Sequence, residues 1–376
     1  MIDPPGRRET WTAYAYLSVF GFYLYAIGAL TPYLRDALGL SDAQAALHPS
    51  AMAIGMVSAG TITDAFERIL GRRQAGVLAV ALMVASGIAL ASAASLPVTL
   101  AGAFGLGVGG GAVLSAVNQV LGRSGGVGAE MRFARANTWS MLASFCAPVS
   151  IAALASTPLG WHAVPLLPLA APVVLELAGG LSPGPVRAPI AHAGDGRLPR
   201  PFWIAWGFVI AAVSIEFSYV VWGSSVVALR ADVSLETGTA LATLFLAGMF
   251  VGRLLLGAGV VGTRFRRWIE AALLLTALGG VVVWLSPIPA VSGVGLLAAG
   301  LGTATLYPLG MAAALGRAGE AAAAAGARLT LASGLAILVA PLALGAISDA
   351  FGVVAGWPLV IALCAVACLV RRMLPA

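Results

Sequence analysis

Glu216 stands in the stretch AAVSIEFSYVVWG, in the middle of a run that is otherwise apolar over the length of a membrane span. An ionised side chain at such a depth costs on the order of 3 kcal/mol or more unless it faces water or a partner, so an acid placed there points to function. The chemistry open to a lone carboxyl is to take up and give off a proton within the span. Arg253, in GMFVGRLLLG, is a second charge inside an apolar run. It lies near the end of its run, and a long side chain reaching back to the interface is favoured over an anion-binding role.

Uncharged polar residues recur at helical spacing. Tyr14, Ser18, Gly21, Tyr25 and Gly28 fall on one stripe, and Glu216, Tyr219 and Gly223, with Trp222 beside them, on another. Ser115, Asn118 and Gln119 follow at i, i+3, i+4, and Thr303, Thr305 and Tyr307 precede Pro308. Asn137, Ser140 and Ser144 form a further set next to Trp139. Any one of these serves a neighbouring helix as readily as a ligand, but together they outline a mildly polar, aromatic cavity for a small molecule.

Other chemistries find no support. Cys146, Cys364 and Cys368 lie in apolar runs without metal-ligand spacing, and the three His are scattered, so no metal is expected. GLGVGG at Gly105–Gly110 matches a dinucleotide fingerprint in letters, but it lies inside an apolar helix with no preceding strand; close helix packing explains it better. No P-loop is present, and no cofactor is expected.

The elements that must position these residues follow from composition. The 376 residues are 60% hydrophobic and 10% charged, with mean hydropathy +0.96, against a charged fraction of about 25% in soluble domains. Twelve helical spans are predicted, at 11–34, 47–66, 75–94, 97–121, 136–155, 163–181, 202–228, 238–260, 268–286, 290–315, 329–349 and 353–370. The +6 net charge does not imply nucleic acid, because the 21 basic residues, all Arg, concentrate on one side. With the N-terminus in the cytoplasm, 18 fall in cytoplasmic segments, Arg35 and Arg230 outside, and Arg253 within a span. That asymmetry predicts a multi-pass protein of the inner (plasma) membrane with both termini cytoplasmic.

The halves repeat at an offset of about 195 residues: Trp11, Phe22, Gly28, Leu34 and Arg35 find Trp206, Phe217, Gly223, Leu229 and Arg230. GLGVGGGAVLSAVNQVLGR pairs with GLGTATLYPLGMAAALGR, and RANTWSMLASFCAP with RLTLASGLAILVAP. The predicted organisation is a six-helix bundle at 1–181, a Pro- and Gly-rich cytoplasmic linker at 182–201 and a second six-helix bundle at 202–376.

On these features the whole chain resembles the major facilitator superfamily. The family's motif between the second and third helices is matched in GTITDAFERILGRR by Gly60, Asp64, Gly71, Arg72 and Arg73, with a turn about four residues longer than the family pattern. CAPVS around Pro148 is a weak form of the fifth-helix motif associated with exporters, and Ala101 stands where the family often has an Arg. The resemblance implies an all-α fold of twelve membrane helices in two bundles, with helices 1, 4, 7 and 10 lining a cavity. It also implies a gating role for the Asp64 motif.

The function predicted is secondary active transport of a small organic solute by alternating access, coupled to protons through Glu216. Partners are then the solute, protons and the lipid bilayer, for a protein expected to work as a monomer and not as an enzyme. Pro148 leans toward efflux of an amphipathic compound, and the isolated acid with a Tyr-rich cavity suits uptake of a sugar-like or organic-acid solute. A membrane sensor without transport, or an intramembrane enzyme, is the rival class; the latter would need paired acids, a His cluster or an activated Ser at membrane depth.

Overall fold

The computed structural model describes residues 5–123, 126–181, 198–257 and 265–374. Its long helices are α1 (Arg7–Leu38), α2 (Asp42–Leu70), α3 (Arg72–Ser92), α4 (Leu96–Leu121) and α5 (Gly126–Leu154). After a short α6 (Ala170–Leu177) come α7 (Arg200–Arg230), α8 (Leu235–Gly257), α9 (Phe265–Leu285), α10 (Pro289–Leu315) and α11 (Ala322–Phe351). The last span is divided into α12 (Val353–Gly356) and α13 (Pro358–Arg372).

Among the described residues, eleven helical stretches are long and apolar enough to cross a membrane. The sixth predicted span, 163–181, differs from expectation. It forms a 3-10 segment, Trp161–Leu166, followed by the short α6. Pro165, Pro168 and Pro172 fall in this stretch, and each removes a backbone donor and crowds the preceding turn. Proline prevents one continuous helix here. Of the predicted linker at 182–201, residues 182–197 lie outside the described residues.

The chain clusters into two compact units, Met1–Leu40 with Leu47–Arg187, and Ser41–Ala46 with Ala188–Ala376. In the first, α1 packs on α4 and α5, and α3 on α4. In the second, α10 packs on α8 and α9, and α7 contacts α8, α10, α11 and α13. The segment Ser41–Ala46 joins this unit through Asp349, whose carboxylate accepts hydrogen bonds from Ser41 Oγ (2.8 Å) and the backbone amides of Asp42 (2.7 Å) and Ala43 (3.2 Å). That satisfies donors left open at a helix start.

α1 and α7 are the innermost long helices, with 83% and 72% of their most apolar windows buried. Glu216 lies on the second of these helices. The glycine-rich stretches hold the bundles together. A Cβ on Gly107 of α4 would collide with the Met52 carbonyl oxygen of α2, and one on Gly300 of α10 with the Phe245 carbonyl oxygen of α8. The GLGVGG stretch thus lets one helix backbone lie against another. Gly107→Ala should cost about 1–3 kcal/mol, as inserted atoms do in a full interior, and lower the unfolding midpoint in detergent. An unchanged midpoint would show that α2 and α4 have room to separate.

Candidate functional site

The site builds up from α7. Glu216 is close to the middle of this 31-residue helix and is 5% exposed, so its carboxylate has left water. Its partner comes from α8: Arg253 Nη2 lies 4.0 Å from Glu216 Oε1. Arg253 thus combines a contact to the buried carboxylate with a side chain that stays 27% exposed. The physical reason is the carboxylate, since a buried charge draws the nearest opposite charge and gains from it more than in water.

Tyr307 of α10 lies within electrostatic range of both Glu216 and Arg253, and Ser333 of α11 donates its hydroxyl to the Leu329 carbonyl at 3.2 Å. Ser333 was not singled out in the sequence, although the repeat holds a signal for it: in the paired segments it occupies the place of Ser140. Ser140 Oγ donates to the Leu17 carbonyl at 3.1 Å in the first unit.

The repeat also sharpens the meaning of the pair. Glu216 corresponds to Gly21, and Arg253 to Gly60. At Gly21 the first unit has no space, because a Cβ there would run into Ser140 and Ser144 of α5. One unit therefore closes this position by packing, while the other holds a charge and its counter-charge.

Several predicted cavity residues are placed otherwise. Tyr219 is 1% exposed, donates its hydroxyl to the Thr276 carbonyl at 2.9 Å and stacks on Phe245. Trp222 is fully buried, with its indole N–H donated to the Pro341 carbonyl at 3.1 Å. Thr303 donates to the Ala299 carbonyl at 2.8 Å and sits 3.4 Å from the Thr276 hydroxyl. Tyr219 and Trp222 thus use their polar atoms in joining helices of the second unit, whereas Thr303 donates within α10. Trp222→Phe should accordingly cost about 1 kcal/mol of stability, the net value of one hydrogen bond, and leave solute affinity unchanged.

The other candidates distribute over the first unit. Ser115, Asn118 and Gln119 share an exposed face of α4, where Gln119 Nε2 approaches Ser115 Oγ at 3.5 Å. Asn137 is exposed on α5, and Tyr25 is buried on α1. Ser18 donates to the Tyr14 carbonyl at 2.8 Å, and Tyr14 itself lines a cavity at the Arg7 end of α1.

The Asp64 motif is also altered. α2 runs on to Leu70, and the turn falls at Gly71, whose φ of +84° suits glycine. Asp64 is exposed, and among the described residues no ion pair joins it to Arg72 or Arg73. Arg72 pairs instead with Glu67 at 3.6 Å. The longer turn is the cause, because it leaves Glu67 nearer the turn than Asp64; Gly60 faces open space two turns earlier.

Among the described residues no group of three or more His, Cys, Asp or Glu could hold a metal ion. No protein-family model matches the sequence, and no curated protein is a significant match. Solved structures do match over nearly the whole chain. The nucleoside transporter NupG superposes with a TM-score of 0.78 at 11% identity, covering 98% of this chain and 99% of its own. A bacterial homologue of the human lysosomal transporter Spinster, inward-facing and unoccupied, gives 0.78 at 13% identity over 98% and 97%. A D-xylose–proton symporter gives 0.75 at 14% identity over 98% of each chain. The chain therefore has the major facilitator fold.

Proposed function

We propose that this protein is a secondary transporter that moves a small organic solute by alternating access and couples that movement to protons through Glu216. The observation that carries the proposal is the Glu216–Arg253 pair, 4.0 Å apart on two helices of one unit with the carboxylate 5% exposed. A structural role alone would be met by a neutral hydrogen bond at less desolvation cost. A titratable pair at this depth gives the protein two states of different internal attraction, and a ligand shifts such states through its differential affinity. The shared fold supports transport, and one of the similar structures is itself a proton symporter.

The proposed setting is the inner (plasma) membrane with both termini cytoplasmic, for which the Arg distribution is the support. Monomeric function is proposed as well. Outward movement of an amphipathic compound is the direction we propose, from the CAPVS segment with Pro148 inside α5. An enzymatic reading lacks its second acid: among the described residues the ion-pair partner of Glu216 is Arg253.

Purified protein in liposomes with an imposed pH gradient tests the reading. A panel of labelled sugars, nucleosides, organic acids and amphipathic amines should contain a solute that accumulates with the gradient and ceases to on adding a protonophore. Assay in both gradient directions separates export from uptake of a sugar-like or organic-acid solute. Movement no faster than in protein-free vesicles across the panel, or movement indifferent to the gradient, would overturn it.

A further inference from the structure

A cavity of about 600 Å³ opens in the first unit between the Arg7 end of α1 and the facing part of α5. Its volume falls in the range of roughly 300–1,000 Å³ typical of small-molecule sites. Two helical stripes line it: Arg7, Trp11 and Tyr14 from α1, and Arg132, Arg135 and Trp139 from α5. The rings form one wall. Trp11 meets Trp139 edge to face with centroids 6.0 Å apart, and Tyr14 at 5.5 Å. The guanidinium groups supply the charge.

Among the described residues neither Arg7 nor Arg135 forms an ion pair. Glu9, the acid beside Arg7 in sequence, is committed elsewhere, with both carboxylate oxygens 3.0 Å from Arg123 Nη1. Arg132 is fixed in place by backbone oxygens, donating through Nε to Leu121 at 3.1 Å and through Nη2 to Arg123 at 2.6 Å.

Retention of positive charge on one side of a membrane explains arginines here in general. It does not explain why three converge on one walled cavity together with two tryptophans, when arginines that only serve topology spread out toward headgroups. We propose that this cavity binds an organic anion with a flat, apolar body, the carboxylate or phosphate held by the forks of Arg7 and Arg135 and the ring packed against Trp11 and Trp139. Calling it a loading site for the transported solute rests on the transport reading; the binding itself does not.

The same oxyanion chemistry could come from a free solute or from a lipid headgroup, and the test separates them. Calorimetry is performed on protein in nanodiscs of phosphatidylcholine, with 2-naphthoate, neutral 2-naphthamide and inorganic phosphate as ligands. The wild type should bind 2-naphthoate at least about tenfold more tightly than the amide or phosphate. Arg135→Gln should weaken naphthoate about tenfold, Arg7→Gln with Arg135→Gln about a hundredfold, and Trp139→Ala should weaken naphthoate but not phosphate. Replacing part of the phosphatidylcholine by phosphatidylglycerol should leave naphthoate binding unchanged.

Equal binding of amide and carboxylate would reduce the cavity to an apolar cleft, and equal binding of phosphate to a simple anion site. Displacement by phosphatidylglycerol would make it a headgroup site. Each result overturns the proposal, as does unaltered binding in the double Arg variant or no naphthoate binding at all. If the double variant fails to fold, the wild-type comparisons and Arg135→Lys, which keeps charge but loses the fork, still decide. Binding is read without flux, so its loss alongside intact pH-driven transport defeats this proposal alone, and intact binding with no transport in the panel defeats the transport reading alone.

Discussion

Vesicles carrying Glu216→Gln should accumulate no solute against an imposed pH gradient, while exchange of solute across the same membrane continues. Glutamine preserves the size of the side chain and its capacity to hydrogen-bond, and it deletes only the titration. The environment makes this a demanding substitution to interpret otherwise. Glu216 is 5% exposed, so no bulk water stands ready to replace it as proton acceptor, and its ion-pair partner Arg253 cannot release a proton at ordinary pH. The variant also leaves Arg253 without its counter-charge. At 27% exposure that side chain retains access to water or the interface, so the fold should tolerate the change. Uptake and counterflow measured at matched protein levels separate the two effects; full accumulation by the Gln variant would remove Glu216 from the coupling step.

Arg253→Ala should do more damage to the fold than Glu216→Gln, because the two partners differ in burial. Removing the arginine takes the counter-charge from a carboxylate that is 6% exposed, whereas removing the carboxylate takes it from a guanidinium that is 27% exposed. Breaking one side of a buried pair costs up to about 3–5 kcal/mol, and the partial exposure of Arg253 places the expectation near the lower end. Loss of the counter-charge should also end coupling, even in molecules that fold. Adding Glu216→Gln to Arg253→Ala should therefore recover part of the lost thermal stability without recovering accumulation. A double variant less stable than Arg253→Ala alone would show that the pair is not what the arginine supports.

Glu216 was legible in the sequence because a charge inside a long apolar run has few innocent explanations. Arg253 was visible as a charge but not as its partner, since a side chain of that reach serves the interface or the interior equally well until its neighbours are known. Tyr219, Trp222 and Thr303 share a different difficulty. Helical spacing places them on stripes, but it does not reveal that the carbonyls of Thr276, Pro341 and Ala299 take their hydrogen bonds.

The long helices followed from span-length apolarity, whereas the broken sixth span followed from Pro165, Pro168 and Pro172, which a count of apolar residues does not register. At the α2–α3 turn the motif letters were present, but the added residues moved Arg72 to Glu67 and left Asp64 behind. The cavity lined by Arg7, Trp11, Arg135 and Trp139 was dispersed in the sequence among topology signals and single aromatic positions, because only tertiary packing brings α1 against α5.

The most direct test of the central claim measures protons and solute together. Purified protein in weakly buffered detergent with a pH-sensitive dye is mixed with the solute identified by the gradient assay, and proton uptake or release is recorded as the site fills. Binding linked to titration of a single carboxyl requires up to one proton per solute, with a stoichiometry that varies with pH, and reciprocity requires solute affinity to vary with pH in step. The account predicts such a signal in the wild type and none in Glu216→Gln at solute concentrations that saturate both. An equal proton signal in the Gln variant, or saturating binding in the wild type with no protons moved at any pH, would contradict it.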